Sequence, residues 1–170
     1  MRRFLLLTAA LVLLTLFAFQ GFRPQYELPA AFETAEAVNI EGSAPEQALN
    51  DIYYNVDILG IKELKLSDLS SEFDVDPDMF FAAYGRYSDG RFGIADVFIL
   101  RPKTGYESEA REALETIKLS RMALFQNFDI YNAYEIASNG VIFQRGNYYI
   151  LLMIDDAESA QEIIERYIAK

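Results

Sequence analysis

The chain has 170 residues, of which 52% are hydrophobic, including 11 Tyr and 13 Phe. That length fits one domain with appendages, and the composition is too apolar for a disordered chain. The formal net charge is −11. Arg2, Arg3 and Arg23 are the only charged side chains up to residue 23, so the remainder holds 12 basic against 26 acidic residues. A surface this negative repels phosphates and anionic headgroups, which argues against a nucleic-acid partner. Cys, His and Trp are absent. Zinc and copper sites normally draw on His or Cys, and Ser-His-Asp or Cys-His catalysis requires them. The residues point to no cofactor, no metal and no catalytic constellation.

Arg2-Arg3 precedes sixteen uncharged residues, Phe4 to Phe19, in which only Thr8 and Thr15 are hydroxylic. A basic start before such a run is the pattern of a signal peptide or signal-anchor over residues 1–22. No polar stripe at helical spacing marks it as a core helix. With Gln20, Gly21 and Phe22 the segment is about long enough to span a bilayer. It lacks an Ala-x-Ala cleavage site, which favours an uncleaved anchor. Arg2 and Arg3 would then stay in the cytoplasm and the rest would lie outside it. The expected localisation is the cell membrane, single-pass, or secretion if the segment is removed.

Residues 23–42 contain Pro24, Pro29 and scattered acids with weak periodicity, and read as a linker. The folded domain is expected over 43–170. Ser43-Ala44-Pro45-Glu46 is a capping-box start, with Glu46 placed to reach back to the Ser43 amide. Leu49, Ile52, Tyr53 and Val56 follow on one helical face, and Gly60 marks the break. Ser67 is placed to cap a short helix through Phe73, with Leu66, Leu69 and Phe73 as its apolar contacts.

Asp74-Val75-Asp76-Pro77-Asp78 has the spacing that opens a calcium loop. The rest does not fit an EF-hand, since Met79 stands where the turn needs Gly and Gly85 where the bidentate Glu belongs. The favoured reading is a turn with Pro77 at its second position, leading into a strand.

Met79–Tyr87 and Phe92–Leu100 are rich in Phe, Tyr, Val and Ile, and Ser88-Asp89-Gly90-Arg91 between them predicts a tight hairpin with positive φ at Asp89 and Gly90. Arg101-Pro102 stops the second strand. A helix over Glu107–Phe125 places Ala110, Ala113, Leu114, Ile117 and Leu124 along one side. The order then repeats. Asn139-Gly140 turns into Val141–Gln144, Gly146-Asn147 turns into Tyr148–Ile154, and a closing helix carries Ala160, Ile163, Ile164, Tyr167 and Ile168 as its stripe. Asp155 is its candidate N-cap, and Glu162 is placed to pair with Arg166. The expected fold class is α+β: a ββα-ββα-like antiparallel sheet with helices packed on it, preceded by one or two short helices and the N-terminal hydrophobic segment.

From about Leu69 to Ile168 the chain resembles an uncharacterised bacterial family of small exported or lipid-anchored proteins, known as a domain of unknown function. The likeness rests on Phe73-Asp74-Val75-Asp76-Pro77-Asp78, the long helix ending near Arg121–Phe128, Tyr134-Glu135-Ile136, Gly146-Asn147-Tyr148 and Asp155-Asp156-Ala157-Glu158. It implies export and an α+β domain, and carries no catalytic residues. Family members typically have a Cys after the signal; this chain has none, so no lipid anchor is implied.

Tyr148–Ile154 and Val97–Leu100 lack the apolar-polar alternation of a strand covered on one face. Two helices can cover one side, leaving the other to the Ser43–Phe73 helices, a partner or a ligand; intramolecular cover is the favoured reading. The functional expectation is a membrane-tethered, extracytoplasmic, non-catalytic binding module for an unknown protein or cell-envelope ligand. Among Tyr53, Tyr54, Tyr84, Tyr87, Tyr148 and Tyr149, ordinary packing is the favoured role, with Tyr84, Tyr87 and Tyr148 as candidate binding residues. Asp96, an acid inside an apolar strand, joins them as a candidate. It also motivates the alternative of a hydrolase acting on cell-wall material with two carboxylates.

Overall fold

The structure, a computed structural model, describes residues 42–127 and 129–170. The expected apolar anchor and nearly all of the expected linker lie outside the described residues. The elements run α1 (Ala44–Tyr53), β1 (Ile61–Glu63), α2 (Asp68–Phe73), a 3-10 turn (Pro77–Met79), β2 (Phe80–Ser88), β3 (Asp96–Pro102), α3 (Glu107–Gln126), α4 (Ala133–Ser138), β4 (Val141–Arg145), β5 (Tyr148–Met153) and α5 (Ala157–Tyr167). The five strands form one antiparallel sheet in the order β1-β2-β3-β5-β4. This is the expected α+β class, and from β2 to α5 the order is ββα-ββα with the short α4 inserted between the halves.

The two central strands meet across the halves, Val97 opposite Leu152 and Ile99 opposite Ile150. Phe98, Leu100, Leu151 and Met153 point to one face, where they pack with Ala110, Leu114, Ile117 and Phe125 of α3 and with α2 and α4 residues. Val97, Ile99, Ile150 and Leu152 point to the other, under Ala48, Leu49 and Ile52 of α1 and Ala160, Ile164 and Ile168 of α5. Cover on both faces accounts for the missing alternation. α3 and α5 therefore lie on opposite sides of the sheet, not together on one. A two-fold axis normal to the sheet would put both on the same side, so the halves repeat in order but not in symmetry.

Local chemistry holds the helices in place. The Glu46 carboxylate accepts from the Ser43 amide at 2.6 Å and from Ser43 Oγ at 3.0 Å, opening α1. Arg86 of β2 stacks on the Tyr53 ring at 5.1 Å and donates to Asn50 Oδ1 at 2.6 Å, fixing α1 to the sheet. Arg145 of β4 donates to the carbonyls of Ile168 (2.9 Å) and Glu165 (3.1 Å), which closes the C-terminal end of α5. Asp74 takes the left-handed conformation (φ 56°) just past α2, and the Val75 amide returns to the Leu69 carbonyl at 2.8 Å. Asp76 Oδ1 accepts from the Asp78 amide at 2.9 Å to start the turn at Pro77. Asp74 and Asp76 of the acidic run thus serve a helix stop and a turn.

Five local expectations are corrected. The β2–β3 connection is a loop over residues 89–95, not a tight hairpin; Gly90 has positive φ but Asp89 does not, and Phe92 lies outside the strand. Asp156, not Asp155, caps α5, with its Oδ1 accepting from the Ser159 amide at 3.0 Å. Leu124 is exposed because the inward side of α3 continues through Arg121 to Phe125. Leu66 precedes α2 and is likewise exposed. Arg166 pairs across to Asp51 of α1 at 3.5 Å instead of with Glu162.

Candidate functional site

The four candidate residues divide between the faces. Tyr84 and Tyr148 meet edge-on, 6.4 Å between centroids, half-buried on the α1–α5 side. Tyr87 is buried on the α3 side, against Phe73 (5.2 Å, edge-on) and Phe98 (6.4 Å, stacked). Its hydroxyl donates to Asp68 Oδ2 at 3.3 Å. Burial, then the negative charges of Asp68 and Glu72, push its phenol up to about 12. Asp96 lies on the same side and is fully buried. The four do not share one surface.

Asp96 sits where β3 begins, beside the last residue of β2 and under α3. Its Oδ1 accepts from the Ser88 amide at 2.7 Å and from Ser88 Oγ at 3.0 Å. Its Oδ2 lies 2.7 Å from Arg121 Nε as an ion pair. The aligned hydrogen bonds of Arg121 go instead to the Ser88 carbonyl (3.0 Å) and Ser88 Oγ (2.8 Å). Burial pushes the Asp96 carboxyl up, against the Arg121 guanidinium and the Ser88 donors that pull it down. The Tyr53 hydroxyl reaches the Ala95 carbonyl at 2.6 Å and the Arg86 carbonyl at 3.0 Å; burial first, and then Asp96, raise its phenol as well.

Two hollows open on this framework. A cleft of about 410 Å³ lies beside Lys62, Glu72, Ser88, Asp89 and Arg121, so its wall carries both signs of charge. Asp96 lines neither hollow, and both of its oxygens are engaged.

The larger hollow, about 1120 Å³, is a groove at the end of the sheet. The C-terminal end of α1 and the segment after it form one wall, and the loop into β3 forms the floor with Ile94. The exit from β5 and the start of α5 form the other wall, with Tyr131 and Asn132 at the mouth. Tyr131 and Asn132 both hold left-handed backbone, φ 53° and 59°. Two such residues in succession are a strained arrangement for side chains with a Cβ. Leu59 (66% exposed), Phe92 (43%) and Tyr131 (80%) stand at the groove as solvent-facing apolar side chains. Ile52 and Ile94 are buried beneath them. The groove's side chains are apolar, amide, hydroxyl or carboxylate; among the described residues, no Lys or Arg lines it.

None of the four sequence candidates lines this groove. Leu59, Phe92, Tyr131 and Ile163 are far apart in the chain, three of them in connections, so no periodic pattern marks them. The apolar character of loop residues such as Leu59 and Phe92 was the available signal.

Among the described residues, no group of three acids or other ligands is placed to hold a metal ion, and no helix is long and apolar enough to cross a membrane. No curated protein and no solved structure matches the chain. A family model does match over residues 54–154, from the residue after α1 to the residue after β5. The matched span holds all five strands with α2, α3 and α4, and leaves out α1 and α5, the two helices that cover the second face. The chain belongs to this family, described as the domain of unknown function DUF4358.

Proposed function

We propose that this domain is a non-catalytic interaction module, tethered at the outer face of a membrane, whose binding surface is the groove at the end of the sheet. The observation that carries the reading is the placement of Leu59, Phe92 and Tyr131. Three large apolar side chains are left facing solvent around one hollow, while the sheet itself is covered on both sides. Clustered exposed apolar residues with polar neighbours mark interaction surfaces more often than singly scattered ones do. The tether and its orientation rest on Arg2-Arg3 ahead of the uncharged run Phe4 to Phe19.

Site-specific photo-crosslinking in intact cells tests it. A crosslinking side chain at Leu59 should yield a discrete adduct, diminished by Tyr131→Ser, whereas the same group at Glu112 on the outer side of α3 should yield none. Equal adducts from both positions, or none from Leu59, would overturn the assignment of the groove.

A further inference from the structure

We propose that the groove selects a cationic, apolar peptide segment: one that places aliphatic or aromatic side chains on the Ile94 floor and Lys or Arg against the rim. This rests on the reading of the groove as the domain's binding surface and names its partner's chemistry. The floor and walls supply Ile52, Val56, Ile58, Ile94, Ile154 and Ile163, side chains that reward an apolar ligand. Among the described residues, every charged side chain lining the groove is an aspartate: Asp51, Asp57, Asp155 and Asp156.

The basic side chains nearby are already engaged. Arg166 pairs with Asp51 at 3.5 Å, and Arg91, stacked on Phe92 at 5.7 Å, is held by Asp89. Asp57, Asp155 and Asp156 are exposed and have no ion-pair partner among the described residues. Asp156 accepts from the Ser159 amide, but that bond leaves its negative charge in place. A groove with an apolar floor and a rim of one sign attracts the opposite charge and rejects its own. Anionic lipid headgroups and acidic peptides are repelled by the same rim. The volume, about 1120 Å³, exceeds the range of about 300–1,000 Å³ typical of small-molecule pockets, which favours a peptide segment over a compact ligand.

The test uses the full chain in mild detergent and three fluorescein-labelled peptides: one of Leu and Lys, one of Leu and Glu, and one of Ser and Lys. Fluorescence anisotropy should show saturable binding of the Leu-Lys peptide alone. Leu59→Ser or Tyr131→Ser should weaken it by about tenfold or more. Asp57→Asn with Asp155→Asn should weaken it by about threefold to tenfold and flatten its dependence on salt. If the Leu-Glu peptide binds as well and the aspartate variants change nothing, while Leu59→Ser still abolishes binding, the charge selection is wrong and the groove reading stands. Binding indifferent to Leu59→Ser and Tyr131→Ser, or no binding of any peptide, overturns both.

Discussion

Arg121 Nε lies 2.7 Å from Asp96 Oδ2, with both side chains almost fully removed from water. The pair ties the middle of α3 to the start of β3, and Ser88 completes it by bonding to both partners. Removing one partner of a buried ion pair leaves an uncompensated charge, which costs about 3–5 kcal/mol. Arg121→Met and Asp96→Asn should each lower the denaturant midpoint by a corresponding amount. The double variant Asp96→Asn, Arg121→Met should recover much of the loss, because no charge is then left buried and the Asn oxygen still accepts from Ser88. A double variant as unstable as the sum of the singles would show that the pair does not act as a unit.

The closing helix gives a second comparison. Ile164 is fully buried between α1 and the sheet, while Glu162 faces solvent. Ile164→Ala should cost about 2–5 kcal/mol through lost transfer energy and the cavity left behind. Glu162→Ala should stay within about 0.5 kcal/mol, the range of surface substitutions that touch no special feature. Chemical denaturation of the two variants side by side is the measurement. Equal midpoints would mean that α5 does not dock as described.

Gly85 is needed in β2 for space, not for its backbone freedom. A Cβ there would meet the Val97 carbonyl oxygen at 2.4 Å and Leu64 Cδ2 at 3.2 Å. The first is backbone of the paired strand and cannot swing away. Gly85→Ala should therefore destabilise by about 1–3 kcal/mol, the range seen for overpacking. Gly105, where an added Cβ meets nothing within 4 Å, has a positive φ of 94° and would suffer only the backbone penalty. Thermal melts of Gly85→Ala should show a clear loss of transition temperature; an unchanged melt would refute the close strand approach.

Tyr87 yields a pH dependence. Its folded pKa of about 12 lies above the ordinary value of 10.0, so its contribution to stability is complete below pH 10. That contribution is lost as pH rises from about 10 through 12, because the unfolded chain releases the proton first. Melts across that range should fall more steeply for the native chain than for Tyr87→Phe. Identical slopes would mean that the hydroxyl is not held by burial and by Asp68.

Much of the fold was legible in the residues. The unbroken apolar runs at Val97–Leu100 and Tyr148–Ile154 signalled strands covered twice, and the stripe through Ile164 marked a helix that docks. Two things were hidden. α4 is six residues long and begins after a left-handed pair, so it offers neither a period nor a standard cap. The side of the sheet each helix takes depends on how the chain leaves a strand, and no single helix records it. The candidate site was less legible. Asp96 stood out correctly as an unusual acid, but its partner Arg121 is one of many charges on an amphipathic helix until the structure turns it inward. The groove draws on four separate stretches, and only folding brings Leu59, Phe92 and Tyr131 to one place.

The meeting of β3 and β5 at the centre of the sheet sets an order of events during synthesis. β2 and β3 can pair as soon as they are made, but the second edge of β3 waits until α3, α4 and β4 have been completed. Throughout that interval Val97, Phe98, Ile99 and Leu100 offer unpaired backbone flanked by apolar side chains, the kind of edge that recruits strands from other chains. A ribosome-bound chain stalled before Tyr148 is therefore the form of this protein most prone to aggregate, and the one for which a chaperone would matter most.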